Sequence, residues 1–104
     1  MSLYKLKISS IAYNDIEEVF QYGIETFGPF VTKKFLEKLH QKMLALQTQP
    51  GRGQLHAELP DSLRYLNIES HMIIYSYSEV KKLVHILRIV HQKVNLKTVE
   101  LGED

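Results

Sequence analysis

At 104 residues, with 44% hydrophobic and 24% charged side chains, the sequence has the size and composition of one globular domain over 1–104, not of a disordered or low-complexity chain. Thirteen Lys and Arg against twelve Asp and Glu give a formal net charge of +1, so no global field directs it to nucleic acid or an anionic membrane. The absence of cysteine removes disulfide frameworks, thiolate nucleophiles and cysteine-based zinc sites, and suits a reducing cytoplasm, the expected location.

Tyr4, Leu6 and Ile8 alternate with Leu3, Lys5 and Lys7, which predicts a half-buried strand over 3–9. Lysines interrupt this apolar stretch, so Met1–Ile8 is not expected to be a secretory signal, and no apolar run approaches the ~20 residues of a membrane span. Ser9 or Ser10 can cap a helix starting near Ile11, with Asp15, Glu17 and Glu18 in its early turns. Ile16, Val19, Phe20, Ile24 and Phe27 give that helix one apolar face. Gly28-Pro29 pairs a helix-ending glycine with a helix-starting proline and predicts a helical hairpin. Its second helix carries Val31, Phe35, Leu39, Met43 and Leu46 on one stripe and ends before Pro50.

Pro50-Gly51-Arg52-Gly53 redirects the chain. Three strands are expected after it, over 63–68, 71–77 and 83–90, and their short connections favour antiparallel pairing. The predicted class is α+β: an N-terminal strand, an α-helical hairpin, then a small antiparallel sheet.

On the last strand, simple alternation puts Val84, Ile86, Arg88 and Val90 on one face and His85, Leu87, Ile89 and His91 on the other. Both faces are apolar at the centre, yet the chain has one helical hairpin to cover them. The second cover is either the segment after Val94 or a partner. Arg88 stands in an apolar strand, where burial unpaired would be costly, so it is either ion-paired or aimed at a partner. Arg64, near the start of its strand, poses the same question more weakly.

The five histidines do not show the i, i+4 spacing of a zinc protease, so no metal site is expected. No phosphate-binding glycine loop or nucleophile elbow is present, and no cofactor is expected. His91 has the chemistry of a general acid or base near neutral pH. Lys81, Lys82, Arg88, Lys93 and Lys97 form a basic stretch without Asp or Glu between Glu79 and Glu100, suited to an acidic partner or a phosphate backbone.

The order of Ala12-Tyr13-Asn14-Asp15-Ile16, Tyr22 to Phe27-Gly28, Pro50 with Gly53, Leu63-Arg64-Tyr65-Leu66, His71-Met72-Ile73-Ile74-Tyr75 and Ile86-Leu87-Arg88-Ile89-Val90-His91 resembles the ParE branch of the RelE/ParE toxin superfamily over nearly the whole chain. The resemblance implies the toxin of a type II toxin–antitoxin (plasmid-stabilisation) system, neutralised by a cognate ParD-like or other antitoxin. The antitoxin's acidic C-terminal segment would wrap the sheet and hairpin and cover the second apolar face. ParE-like members are associated with DNA gyrase, RelE-like members with ribosome-dependent cleavage of messenger RNA. Near the start of the strand expected over 71–77, where several of those nucleases carry an arginine, this chain has Met72, which favours the gyrase inhibitor over the nuclease.

If the chain is a nuclease, the expected catalytic residues are Arg64, Arg88 and His91. The expected partner-binding residues are Arg64, Tyr75, Leu87, Arg88, Ile89, His91 and Lys93. Neither membrane binding nor direct sequence-specific nucleic-acid binding is expected. A non-toxic binding module of the same fold is the remaining alternative. Two departures from the family pattern are Phe27, where a Trp is frequent, and Asn95, where an Asp is frequent.

Overall fold

In the computed structural model, which describes residues 3–101, Lys5–Ile8 form strand β1 with both lysines exposed and Leu6 and Ile8 turned inward. Met1 and Ser2 of the signal-sequence reading, and the ends of the 1–104 domain, lie outside the described residues. Ser9 caps the following helix, its Oγ accepting the Ala12 N–H at 3.0 Å. That helix, α1, is Ser10–Thr48 and contains one break, at Gly28, with φ 84° and ψ 170°. Only glycine adopts this conformation without strain. Thr32 Oγ1 donates to the Gly28 carbonyl at 2.9 Å, so the second arm starts there with Pro29 in its first turn.

The chain reverses at this break. A Cβ on Gly23 would lie 2.6 Å from Thr32 Oγ1, a contact that a continuous helix forbids, since nine residues would separate the two by roughly 13 Å. The expected hairpin is therefore present as two arms, 10–27 and 29–48.

The 3₁₀ turn Pro50–Arg52 leads through a loop to β2 (Arg64–Ile68), β3 (His71–Ser78) and β4 (Leu83–His91). These strands match the expected ones within a residue at each end and pair antiparallel. β1 joins them parallel to β4, giving a four-stranded mixed sheet in the order β1-β4-β3-β2.

Where β1 stops, the start of α1 takes over its hydrogen-bonding role along β4. Ser9 N donates to the Ile86 carbonyl, Ser9 Oγ donates to the Leu87 carbonyl at 2.9 Å, and Ile89 N donates to Asp15 Oδ2 at 2.9 Å. The edge of β4 is thus satisfied by side chains of the helix that crosses it.

A bulge interrupts the β3–β4 ladder. Tyr75 faces Ile86 and Ile74 faces Arg88, which leaves Leu87 unopposed. One extra residue in a strand moves everything beyond it to the opposite face. Val84, Ile86 and Ile89 accordingly pack under the helices with Leu39, Met43, Leu46, Ile73 and Tyr75. Leu87 and Val90 pack on the other side with Met72, Ile74, Leu59, Leu63 and Leu96. The simple alternation read from the sequence is corrected here: Leu87 and Ile89 lie on opposite faces, as do Ile86 and Val90.

The second apolar face is covered by the chain itself. Leu59 and Leu63 from the loop before β2, and Leu96, Val99 and Leu101 after β4, close over it. This corrects the expectation that an antitoxin segment supplies that cover. Among the described residues no helix is long and apolar enough to cross a membrane.

Candidate functional site

The tip of the hairpin overhangs the sheet. Tyr22, Phe27, Phe30 and Val31 are 63%, 60%, 70% and 51% exposed, although Phe27 and Val31 belong to the apolar stripes read from the sequence. The parts of the two arms above the strands bury apolar side chains against the sheet: Ala12 in the first, Leu39, Met43 and Leu46 in the second. Below the tip a groove of about 740 Å³ opens between the arms and the far end of the sheet. Val19, Tyr22, Phe27, Val31 and Phe35 form its apolar wall, and Asp15, Glu18, Glu69, His71, Arg88 and His91 its polar floor. A second hollow, between Phe20, Ile24 and Leu36, lies on the outer side of the hairpin.

The floor is built around two structures. The first is an ion pair: Arg88 Nε donates to Asp15 Oδ2 at 2.9 Å and Nη2 donates to Asp15 Oδ1 at 3.0 Å. Arg88 Nη1 also donates to the Glu100 carbonyl, fastening the C-terminal segment to the sheet. The paired Asp15 carboxylate raises the Arg88 pKa above its already high ordinary value, against burial acting the other way. Asp15 itself is 6% exposed, so its position on the inner face of the first arm serves β4 rather than the helix dipole.

The second is a pair of histidines. His71 and His91 face each other across β3 and β4, with ring centroids 5.3 Å apart, and Phe35 lies 5.3 Å from His71 on the other side. Burial, and then the neighbouring His91, lower the His71 pKa from its ordinary 6.5, while Glu69 acts in the opposite direction. His91 Nδ1 accepts the Lys93 N–H at 3.1 Å. The proton of its neutral ring therefore sits on Nε2, leaving a donor at the exposed end of the groove.

The other expected site residues are dispersed. Arg64 donates to the Gly53 carbonyl at 2.9 Å. Tyr75 is fully buried, its hydroxyl donating to the Pro50 carbonyl and accepting the Gly53 N–H. This hydroxyl fixes the turn after α1, and burial raises its pKa. Leu87 and Ile89 are 7% and 3% exposed, so the reading of both as open apolar anchors on one face is corrected. His91 and Lys93 are exposed at the mouth of the groove.

The three residues expected of a nuclease do not converge. Arg64 faces Tyr75 and His91 faces His71, four residues apart along β3, or roughly 13 Å. Arg88 is committed to Asp15, and Met72 is buried in the second apolar cluster. Among the described residues no group of three or more His, Asp or Glu is placed to hold a metal ion.

Sequence reasoning missed Asp15 as the partner of Arg88. Its signal was available: an acid at the same helical spacing as Ala12, Ile16 and Val19, and an arginine inside an apolar strand. It also missed the histidine pair and the open tip.

A family model described as the ParE toxin of the type II toxin–antitoxin system parDE matches residues 6–96. No curated protein matches the sequence. Among solved structures, the chain is similar to one in the chromosomal ParDE toxin–antitoxin system from P. aeruginosa. It has 22% identity and a TM-score of 0.72, covering 86% of this chain and 96% of that one. It is also similar to one in the toxin–antitoxin complex RelBE2 from Mycobacterium tuberculosis, with 19% identity and a TM-score of 0.65, covering 88% and 94% respectively.

Proposed function

The chain belongs to the ParE toxin family of type II toxin–antitoxin systems, and from that premise we propose that it inhibits DNA gyrase and is silenced by an antitoxin segment seated in the groove between hairpin and sheet. The observation that carries the antitoxin part is the exposed apolar tip. Tyr22, Phe27 and Val31 wall a groove, while Leu96, Val99 and Leu101 of the described C-terminal segment pack on the opposite face of the sheet. An extended or helical segment with apolar anchors fits this wall, and acidic residues beside the anchors would meet His91 and Lys93. One of the similar solved structures is of a ParDE toxin–antitoxin system and the other of a RelBE2 toxin–antitoxin complex, which supports a partner of this kind.

Preference for gyrase over messenger RNA rests on the dispersal of the cationic groups. Cleavage of a phosphodiester requires donors aimed at one developing charge. Here Arg64 and His91 occupy opposite ends of the pairing with β3, Arg88 is neutralised by Asp15, and Met72 is buried.

Induced expression tests both parts. Growth arrest with loss of negative supercoiling, relieved by co-expression of the antitoxin, is the expected result. Rapid codon-linked cleavage of messenger RNA with unchanged supercoiling would return the assignment to the RelE-type nuclease. Normal growth at confirmed soluble expression would leave a non-toxic binding module.

A further inference from the structure

The basic residues contiguous in sequence between Val80 and Val99 separate in space. Lys81 and Lys82 precede β4 and Lys93 follows it; the strand between them has nine residues and spans roughly 30 Å. Lys81 and Lys82 join instead with Lys5 and Lys7 from the opposite end of the chain. Lys5 N donates to the Lys82 carbonyl at 2.7 Å, and β1 lies in register with β4 so that Lys5 faces Leu83 and Lys7 faces His85. Across β4, Ser78 faces Leu83 and Ser76 faces His85. Two rows result, Lys5-Leu83-Ser78 and Lys7-His85-Ser76, on the face of the sheet turned away from the helices.

We propose that this corner of the sheet is a sequence-independent binding surface for the phosphate backbone of duplex nucleic acid. β1, β3 and β4 contain no Asp or Glu, and the turn that bears Lys81 and Lys82 contributes one acid, Glu79. Among the described residues the ion pairs are Lys38–Glu69 and Arg88–Asp15, so no salt bridge neutralises these four lysines; the Lys82 ammonium lies over the Tyr4 ring at the edge of the corner, 5.1 Å from its centroid. All four are exposed.

The composition of the surface selects the partner. Lysine and hydroxyl side chains supply phosphate contacts, whereas the centres of protein interfaces are depleted in lysine and enriched in aromatic residues. Ser78 Oγ accepts the Lys81 N–H and keeps its own hydrogen for donation. The rows offer no aromatic platform for unstacked bases, because Tyr4 and Tyr77 pack on the helix side. That favours a duplex over a single strand.

The test is fluorescence anisotropy of a random-sequence duplex DNA against the full chain at several salt concentrations. Four phosphate contacts give a slope of log K against log salt of about −3 to −4. The variant K5Q/K7Q/K81Q/K82Q is expected to weaken binding at least tenfold at low salt and bring the slope towards zero. The charge-matched variant K33Q/K34Q/K42Q/K97Q is expected to bind like the unaltered protein. Equal loss in both variants would attribute binding to diffuse charge and overturn the proposal, as would absence of binding at low salt. Preference for polyglutamate over the duplex would overturn it in favour of an acidic peptide. Amide chemical shifts of the unaltered protein give a reading independent of the variants. Added duplex is expected to move Lys5, Lys7, Lys81 and Lys82, and movement confined to His71 and His91 would refute the assignment.

Discussion

Asp15 and Arg88 illustrate how one charged pair joins three parts of the chain. The carboxylate receives the guanidinium and the Ile89 N–H, while the guanidinium also reaches the Glu100 carbonyl. Removing one member of a mostly buried pair strands the other in a poor solvent. Asp15→Ala is expected to destabilise the fold by about 3 kcal/mol, the low end of the range for buried pairs, because Arg88 keeps 18% of its side chain exposed. In urea unfolding, Arg88→Ala added to Asp15→Ala should cost less than the sum of the single losses; additive losses would mean that the pair is not coupled. His71 supplies a pH dependence whose sign follows from its surroundings. Burial and His91 hold its pKa below the ordinary 6.5, with Glu69 opposing, so the unfolded chain binds its proton more readily than the folded one. The stability linked to His71 is complete above pH 6.5 and declines as the pH falls through the range between the unfolded and folded values. His71→Asn should flatten the stability profile in that range, measured by unfolding at stepped pH.

Among the elements, the hairpin depends on a single backbone conformation. Gly28 has φ 84° and open space around its Cα, so substitution there tests strain without a clash. Gly28→Ala is expected to lower stability by roughly 1–3 kcal/mol in thermal unfolding, and an unchanged melting temperature would show that the break tolerates other residues. The exposed tip gives a different expectation. Phe27 touches Tyr22 edge-on at 6.2 Å but is 60% exposed, so Phe27→Asp should leave folding nearly intact. On the proposed seat it should weaken antitoxin binding by about 2 kcal/mol or more, as loss of a central aromatic anchor does. Calorimetric titration with the antitoxin checks this; unaltered affinity would place the antitoxin elsewhere.

The distribution of charge matters at the scale of the whole molecule. Screening limits steering by exposed groups to about 8 Å at physiological ionic strength, whereas roughly 30 Å of β4 separates Lys82 from the groove mouth. Association with an acidic antitoxin segment should therefore depend on Lys93 and not on Lys81 and Lys82, contrary to the single basic stretch suggested by the sequence. In stopped-flow measurements at physiological ionic strength, Lys93→Gln is expected to slow association about twofold with little change in dissociation. K81Q/K82Q should leave the rate unaltered, and a slower rate in that variant would relocate the seat towards β1.

Local signals set the elements and most of their ends, because alternation, helical spacing and the Gly28-Pro29 and Pro50 breaks act within a few residues. Ser9 as a helix cap, Gly28 as the reversal and the strand before it were legible for that reason, and so was the family, through the order of short motifs. The features that depend on long-range contacts follow largely from one residue. Counting back from the turn, where Ser78 faces Leu83, an unbroken ladder would set His71 opposite Val90. The bulge at Leu87 sets it opposite His91 instead, and sends Leu87 and Ile89 to opposite faces. A bulge is stabilised by what surrounds it, here the Leu87 carbonyl held by Ser9 and the Ile89 N–H held by Asp15, groups more than seventy positions away. Parallel pairing of β1 with β4 is equally non-local, and it alone carries Lys5 and Lys7 to Lys82. No periodicity within either segment encodes contacts between them, so the candidate site and the basic corner exist only once the sheet is assembled.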